Sequence, residues 1–121
     1  MVLVTANKYR RLLCLQYVQR VTPAELAGVR DELKAVLADL PPDFRLLADL
    51  GQVEFMDPAC ADELGAAMEL IGQHSVSLIV RVIPDPAKDI GLNILSLFHY
   101  PHNLRFVNCK SMTEAAKYLN P

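Results

Sequence analysis

Strand-like stretches alternate with helix-like stretches along the whole chain, and that alternation narrows the possible folds more than any other feature. Val2-Leu3-Val4 is a short β-type run, Asn7-Lys8 punctuates it, and Tyr9 to Val18 returns, which predicts a hairpin. Thr22-Pro23-Ala24-Glu25 forms a capping box, in which Thr22 caps forward and Glu25 reaches back. The helix it opens is predicted to run to Leu40, with Leu26, Val29, Leu33, Val36, Leu37 and Leu40 on one face, and Pro41-Pro42 stops it. Phe44 to Leu50 reads as a buried strand, and Asp57-Pro58 starts a second helix that ends near Gly72. Ser77 to Ile83, SLIVRVI, is the strongest strand. Pro84-Asp85-Pro86 then predicts a third helix over Ala87 to Phe98, Leu104 to Val107 a last strand, and Ser111-Met112-Thr113-Glu114 a terminal helix through Leu119. Strands separated by helices imply parallel neighbours joined by right-handed crossovers, with the helices laid on the sheet. With no linker long enough to divide it, residues 1–121 are expected to form a single α/β domain.

Charge and composition exclude several classes of function. A net charge of -2 and scattered basic residues, densest at Lys8, Arg10 and Arg11, give no nucleic-acid footprint. Apolar runs are broken by charges well before a membrane-span length, and the first residues lack the pattern of a signal peptide. Cys14, Cys60 and Cys109 are far apart and odd in number, which suits a reducing cytoplasm rather than a disulfide framework. No metal site is expected from three dispersed histidines, and no cofactor is implied.

Phosphate loops, nucleophile elbows and zinc-protease signatures are all missing. Cys60 is the one nucleophile with a physical argument, because it lies in the first turn after Asp57-Pro58, where a helix dipole favours thiolate. Asp57 and Asp62 oppose that shift, and Cys60 begins the apolar stripe continued by Leu64, Ala67 and Met68, so core packing is the stronger reading. His74 suits a helix C-terminus, while His99 and His102 flank Tyr100-Pro101 with no carboxylate at local spacing. Asp49, late in its strand, either faces a crevice at the carboxyl edge of the sheet or is a solvated strand-end carboxylate. The third helix carries more apolar residues than one face needs: if Ile90, Ile94 and Leu97 point inward, Leu92 and Leu95 lie at the rim, as a contact surface or under the terminal segment.

Phe55-Met56-Asp57 after a strand, Asp85-Pro86-Ala87 after SLIVRVI, and the ending Leu104-Arg105-Phe106-Val107 … Ser111-Met112-Thr113-Glu114-Ala115-Ala116 stand in an order and spacing that resembles a STAS domain. That fold is shared by bacterial anti-sigma-factor antagonists and the cytosolic tails of sulphate transporters. The resemblance covers Tyr9 to Leu119. It implies a mixed, mostly parallel sheet with an N-terminal β-hairpin and about four helices. The family often writes Phe-Met-Asp-Ser-Ser-Gly where this chain has Phe55-Met56-Asp57-Pro58-Ala59-Cys60. In regulatory members the second serine is the phosphorylated switch. Ala59 occupies that position and has no hydroxyl to modify.

The expectation is therefore a non-enzymatic interaction domain that binds a protein through Asp57, Pro58, Ala59, Glu63 and Ala66, on the side opposite the Cys60–Leu64–Ile71 stripe. The resemblance implies an anti-sigma-factor-like kinase as partner. Two other readings stay open: an accessory subunit of a lipid or anion transport complex, docking through Leu92 and Leu95, and an enzyme using Cys60. A homodimer is open as well.

Overall fold

The computed structural model describes residues 1–83, 99–101 and 103–119. β1 (Val2–Asn7) and β2 (Leu12–Val21) form the expected hairpin, and β2 lies parallel to β3 (Phe44–Met56). β4 (Val76–Val82) and β5 (Phe106–Cys109) continue the parallel set, so the five strands stand in the order β1-β2-β3-β4-β5. A mixed sheet with one antiparallel edge follows from a hairpin joined to crossovers.

The expected first helix is broken in two. α1 (Pro23–Gly28) is capped by Thr22, whose Oγ1 accepts from the Glu25 N–H at 3.3 Å, and a single residue separates it from α2 (Arg30–Asp39). Val29 sits between them at φ -92° and ψ 0°, at the loose edge of the right-handed helical region, with its N–H still donating to the Glu25 carbonyl at 3.2 Å. Gly28 and the β-branched Val29 are the two weakest helix formers at the centre of that stretch, so the break falls where continuing gains least.

Asp57 opens a single 3-10 turn over Pro58–Cys60, which leads into α3 (Ala61–Gly72). α4 (Met112–Leu119) ends the described chain. Among the described residues there are thus three helical units rather than about four: the α1–α2 arm, α3 and α4. The predicted third helix, with Leu92 and Leu95, lies outside the described residues.

Two apolar layers enclose the sheet. Leu13, Leu15, Tyr17, Phe44, Leu46 and Ile79 meet Leu26, Leu33, Leu37, Leu64 and Ile71 from α1, α2 and α3. On the other face Leu47, Leu78, Val80, Val82 and Cys109 meet Ala115 and Leu119 of α4. Strands buried on both faces read as continuous apolar runs, which is why SLIVRVI was conspicuous.

Strand limits moved for reasons of pairing. β3 runs six residues beyond Leu50, because β2 continues beside it: Val18 pairs with Gln52, and Val21 with Met56. β5 falls two residues later than the apolar pattern suggests, set by Ile79 opposite Phe106 and Val82 opposite Cys109. Among the described residues no helix is long and apolar enough to cross a membrane.

Candidate functional site

The Asp57 turn is built as its two letters imply. Asp57 Oδ1 accepts from the Ala59 N–H at 2.8 Å, its carbonyl accepts from the Cys60 N–H at 2.8 Å, and Pro58 takes a position where no N–H is missed. The Asp57 N–H donates to the Val21 carbonyl at 3.3 Å, which ties the turn to the end of β2. Pro58 and Ala59 are exposed. Their backbone is held from both sides, so the turn presents a rigid, small and uncharged tip.

Beside it, β2 carries two register irregularities, between Gln16 and Val18 and between Gln19 and Arg20. Gln19 adopts φ 57°. Bulges re-aim side chains, and here the Arg20 guanidinium lies over the Phe55 ring, 5.2 Å from its centroid. Phe55 is 49% exposed, an uncommon setting for a large aromatic. Phe55 and Arg20 thus adjoin the turn, and neither was singled out by periodicity, because the bulge that places them is a pairing event.

The proposed docking residues of α3 do not share one free surface. Glu63 is half-buried and pairs with Arg30 at the start of α2. Ala66 is half-exposed, and the open ridge of α3 is formed by Asp62 and Glu69 on either side of it, continued by Gln73 just past the helix end. The side opposite the apolar stripe is therefore partly covered by α2, and the accessible ridge is displaced towards the acidic Asp62 and Glu69.

Cys60 is 1% exposed, and its thiol donates to the Val21 carbonyl at 3.5 Å. Burial, reinforced by the Asp57 carboxylate, pushes the thiol pKa up. A buried, neutral thiol is a poor nucleophile. Cys109 is buried and pushed up for the same reason, and the half-buried Cys14 is raised by desolvation, with Asp49 adding to it. His74 caps α3, its Nδ1 lying 3.1 Å from the Leu70 carbonyl. His99 reaches a carboxylate that local spacing hides, with Nδ1 2.8 Å from Glu69 Oε1. His102 lies outside the described residues. Asp49 is neither solvated nor at a strand end: it is buried within β3, and Oδ1 accepts from the Gly51 N–H at 2.9 Å.

Sequence reasoning missed Arg81. It is 4% exposed inside SLIVRVI, with its guanidinium 4.6 Å from the Phe106 ring centroid. With Tyr17 and Tyr100 it lines a cavity of about 40 Å³ between α3 and the sheet. Burial raises both phenols well above their ordinary range. Among the described residues no group of three or more histidines, cysteines or carboxylates is placed to hold a metal ion.

No family model matches this chain, and no curated protein matches it. Solved structures do. An uncharacterized DUF3478-family protein with a SpoIIAA-like fold from Shewanella loihica PV-4 superposes with a TM-score of 0.71 at 12% identity, over 98% of this chain and 92% of that one. The chain has a SpoIIAA-like fold. An anti-sigma factor antagonist from Mycobacterium paratuberculosis matches with a TM-score of 0.62 and 21% identity, over 100% and 94% of the two chains. The anti-sigma factor antagonist SpoIIAA in its unphosphorylated form matches with a TM-score of 0.67 and 8% identity, over 98% and 97%. These likenesses bear out the STAS-like architecture. In the SpoIIAA-like fold of this chain the Asp57 turn stands at the carboxyl end of β3, where the helices leave a tip uncovered.

Proposed function

We propose that this chain is a non-enzymatic docking domain that binds a protein partner through the Asp57 turn, Phe55 and the open ridge of α3. The observation that carries the reading is the turn itself: Pro58 and Ala59 are exposed on a backbone pinned at both ends, with a half-exposed Phe55 beside them. A rigid tip with an aromatic neighbour suits an interface core, since little ordering entropy is lost on binding. Two of the matching structures are anti-sigma factor antagonists, which supports a partner of the anti-sigma-factor kind.

Control by phosphate at this turn is absent in our reading. Ala59 stands where the STAS pattern has its switch serine, and residues 57–72 contain no Ser, Thr or Tyr. A phosphate would add nearly two negative charges next to Asp57, Asp62 and Glu63, whereas Ala59 leaves the tip permanently unmodified. The domain is constitutively competent to bind. Asp62 and Glu69 on the ridge favour a partner face that carries basic residues.

The test is affinity capture of the chain from its native host, with mass spectrometry, repeated with Ala59→Arg. A partner retained by the parent chain and lost with the variant supports the reading. Equal capture by both places the interface elsewhere, and stoichiometric phosphate on residues 57–72 overturns constitutive binding.

A further inference from the structure

At the edge of the sheet formed by β1 lies a surface independent of the Asp57 turn. β1 is an edge strand, and the arrangement of its hydrogen bonds leaves one side open. Met1 and Val18 exchange both main-chain bonds, at 2.9 and 2.8 Å. The antiparallel register then makes Leu3–Gln16, Thr5–Cys14 and Asn7–Leu12 the other bonded pairs, because such pairs recur at every second residue. Val2, Val4 and Ala6 therefore turn their N–H and C=O groups away from β2, and no strand pairs with that side among the described residues.

An open groove of about 490 Å³ runs along the same strand. Val4 and Ala6 form one wall, and Val36, Asp39 and Leu40 at the end of α2 form the other. Tyr9 and Lys8 close it at the hairpin. An added strand would meet β1 through its main chain and set alternate side chains against α2, the geometry of β-augmentation.

Charge at the hairpin says what the strand should carry. Lys8, Arg10 and Arg11 are exposed, and none of them forms an ion pair with a carboxylate among the described residues. Their backbone is held in place: Asn7 Oδ1 accepts from the Tyr9 and Arg10 N–H groups at 3.1 Å, and Arg45 donates to the Arg10 carbonyl at 3.1 Å. Arg11, at φ 51°, donates to the Pro42 carbonyl at 3.3 Å. Tyr9 stands 90% exposed with the Lys8 ammonium 5.8 Å from its ring. Asp39, at the carboxyl end of α2, lies at the same end of the groove as the hairpin, on the wall opposite its cations.

We propose that the open edge of β1, with the Lys8–Arg11 tip, docks an extended segment of another protein. That segment alternates apolar and polar residues along β1 and is acidic where it passes the tip. Edge strands are usually protected by charge or by irregularity. Here the charge lies beyond the strand, and among the described residues nothing pairs with the edge itself.

Fluorescence anisotropy tests this with two labelled octapeptides of one composition, alternating valine and threonine with three glutamates at either the amino or the carboxyl end. Saturable binding of one of them is expected. It should weaken by about tenfold or more in the Lys8→Glu/Arg10→Glu variant and at high salt. N-methylation of alternate peptide amides should abolish it. Ala6→Pro removes an outward donor from an edge position where proline is tolerated, so it should weaken binding while thermal unfolding stays near that of the parent. Binding that survives N-methylation, or failure of both peptides, overturns the proposal. So does sedimentation with phosphatidylglycerol vesicles that the peptide does not compete away, or self-association that occludes the hairpin.

Discussion

The Arg30 guanidinium and the Glu63 carboxylate are joined in an ion pair that fastens the start of α2 to the first turn of α3. Their side chains are 41% and 24% exposed, so the pair is only partly screened by solvent. A double-mutant cycle with Arg30→Met and Glu63→Gln should give a coupling of about 0.5–1 kcal/mol in denaturant unfolding, at the upper end for exposed pairs. A coupling near zero would mean the two helices are held together by packing alone.

Two glycines of α3 should respond differently to alanine. A Cβ at Gly65 would lie 2.6 Å from His99 Nε2, the tip of a side chain that can swing away, whereas one at Gly72 would lie 2.9 Å from Cδ of the Pro101 ring. Gly65→Ala should displace the imidazole and end its contact with Glu69, visible in the His99 ring signals by NMR, with little net loss because alanine gains about 1 kcal/mol of helix propensity. Gly72→Ala meets a ring fixed to the main chain and should destabilise by about 1–3 kcal/mol. Equal effects at the two sites would contradict the packing described.

Alkaline pH should weaken the fold. Burial raises the Cys60 and Cys109 thiols above their ordinary value of 9.0, and the Tyr17 and Tyr100 phenols above 10.0. As pH climbs past those values the unfolded chain releases protons that the folded chain retains. Stability is thus fully present below about pH 9 and is lost as pH rises beyond it. Urea unfolding from pH 7 to pH 10.5 checks the sign, and a midpoint that holds or rises would refute it.

Native-state thiol labelling should be slow at Cys60. Its sulfur is buried and neutral, so modification near neutral pH should lag well behind a free thiol and speed up in denaturant. Cys60→Ala should cost about 1–2 kcal/mol through lost burial. Rapid labelling in the folded state would favour the enzyme reading instead.

Ala59→Arg and Ala66→Arg separate folding from docking. Ala59 is exposed and Ala66 half-exposed, so each should change stability by about 0.5 kcal/mol. An unpaired charge at an interface core, by contrast, should weaken partner capture by several kcal/mol. Loss of stability comparable to the loss of capture would show that these positions support the fold rather than the partner.

Local chemistry made much of this protein legible. Thr22 and Glu25 meet at the cap of α1, Asp57 accepts from the Ala59 N–H, and His74 returns to the Leu70 carbonyl, each within five residues of its partner. Capping and periodicity act over one or two turns, so adjacent letters contain them. The burial of Cys60 was readable for the same reason, from the stripe it begins.

What needed the tertiary structure involves partners distant in sequence. β3 reaches Met56 because β2 runs beside it, and Arg20 lies over Phe55 because a bulge in β2 turns it there. Glu63 is withdrawn from the open surface by Arg30, 33 residues earlier, and His99 finds Glu69 across a gap of 30. The amino-acid order by itself determined the alternation of strand and helix, the helix starts and the absence of any hydroxyl side chain from residues 57–72, since each depends on residue type and near neighbours. Only the packed sheet decided which residues of α3 remain accessible and which edge of β1 has no strand beside it among the described residues, because pairing and burial depend on which distant segments arrive beside each other.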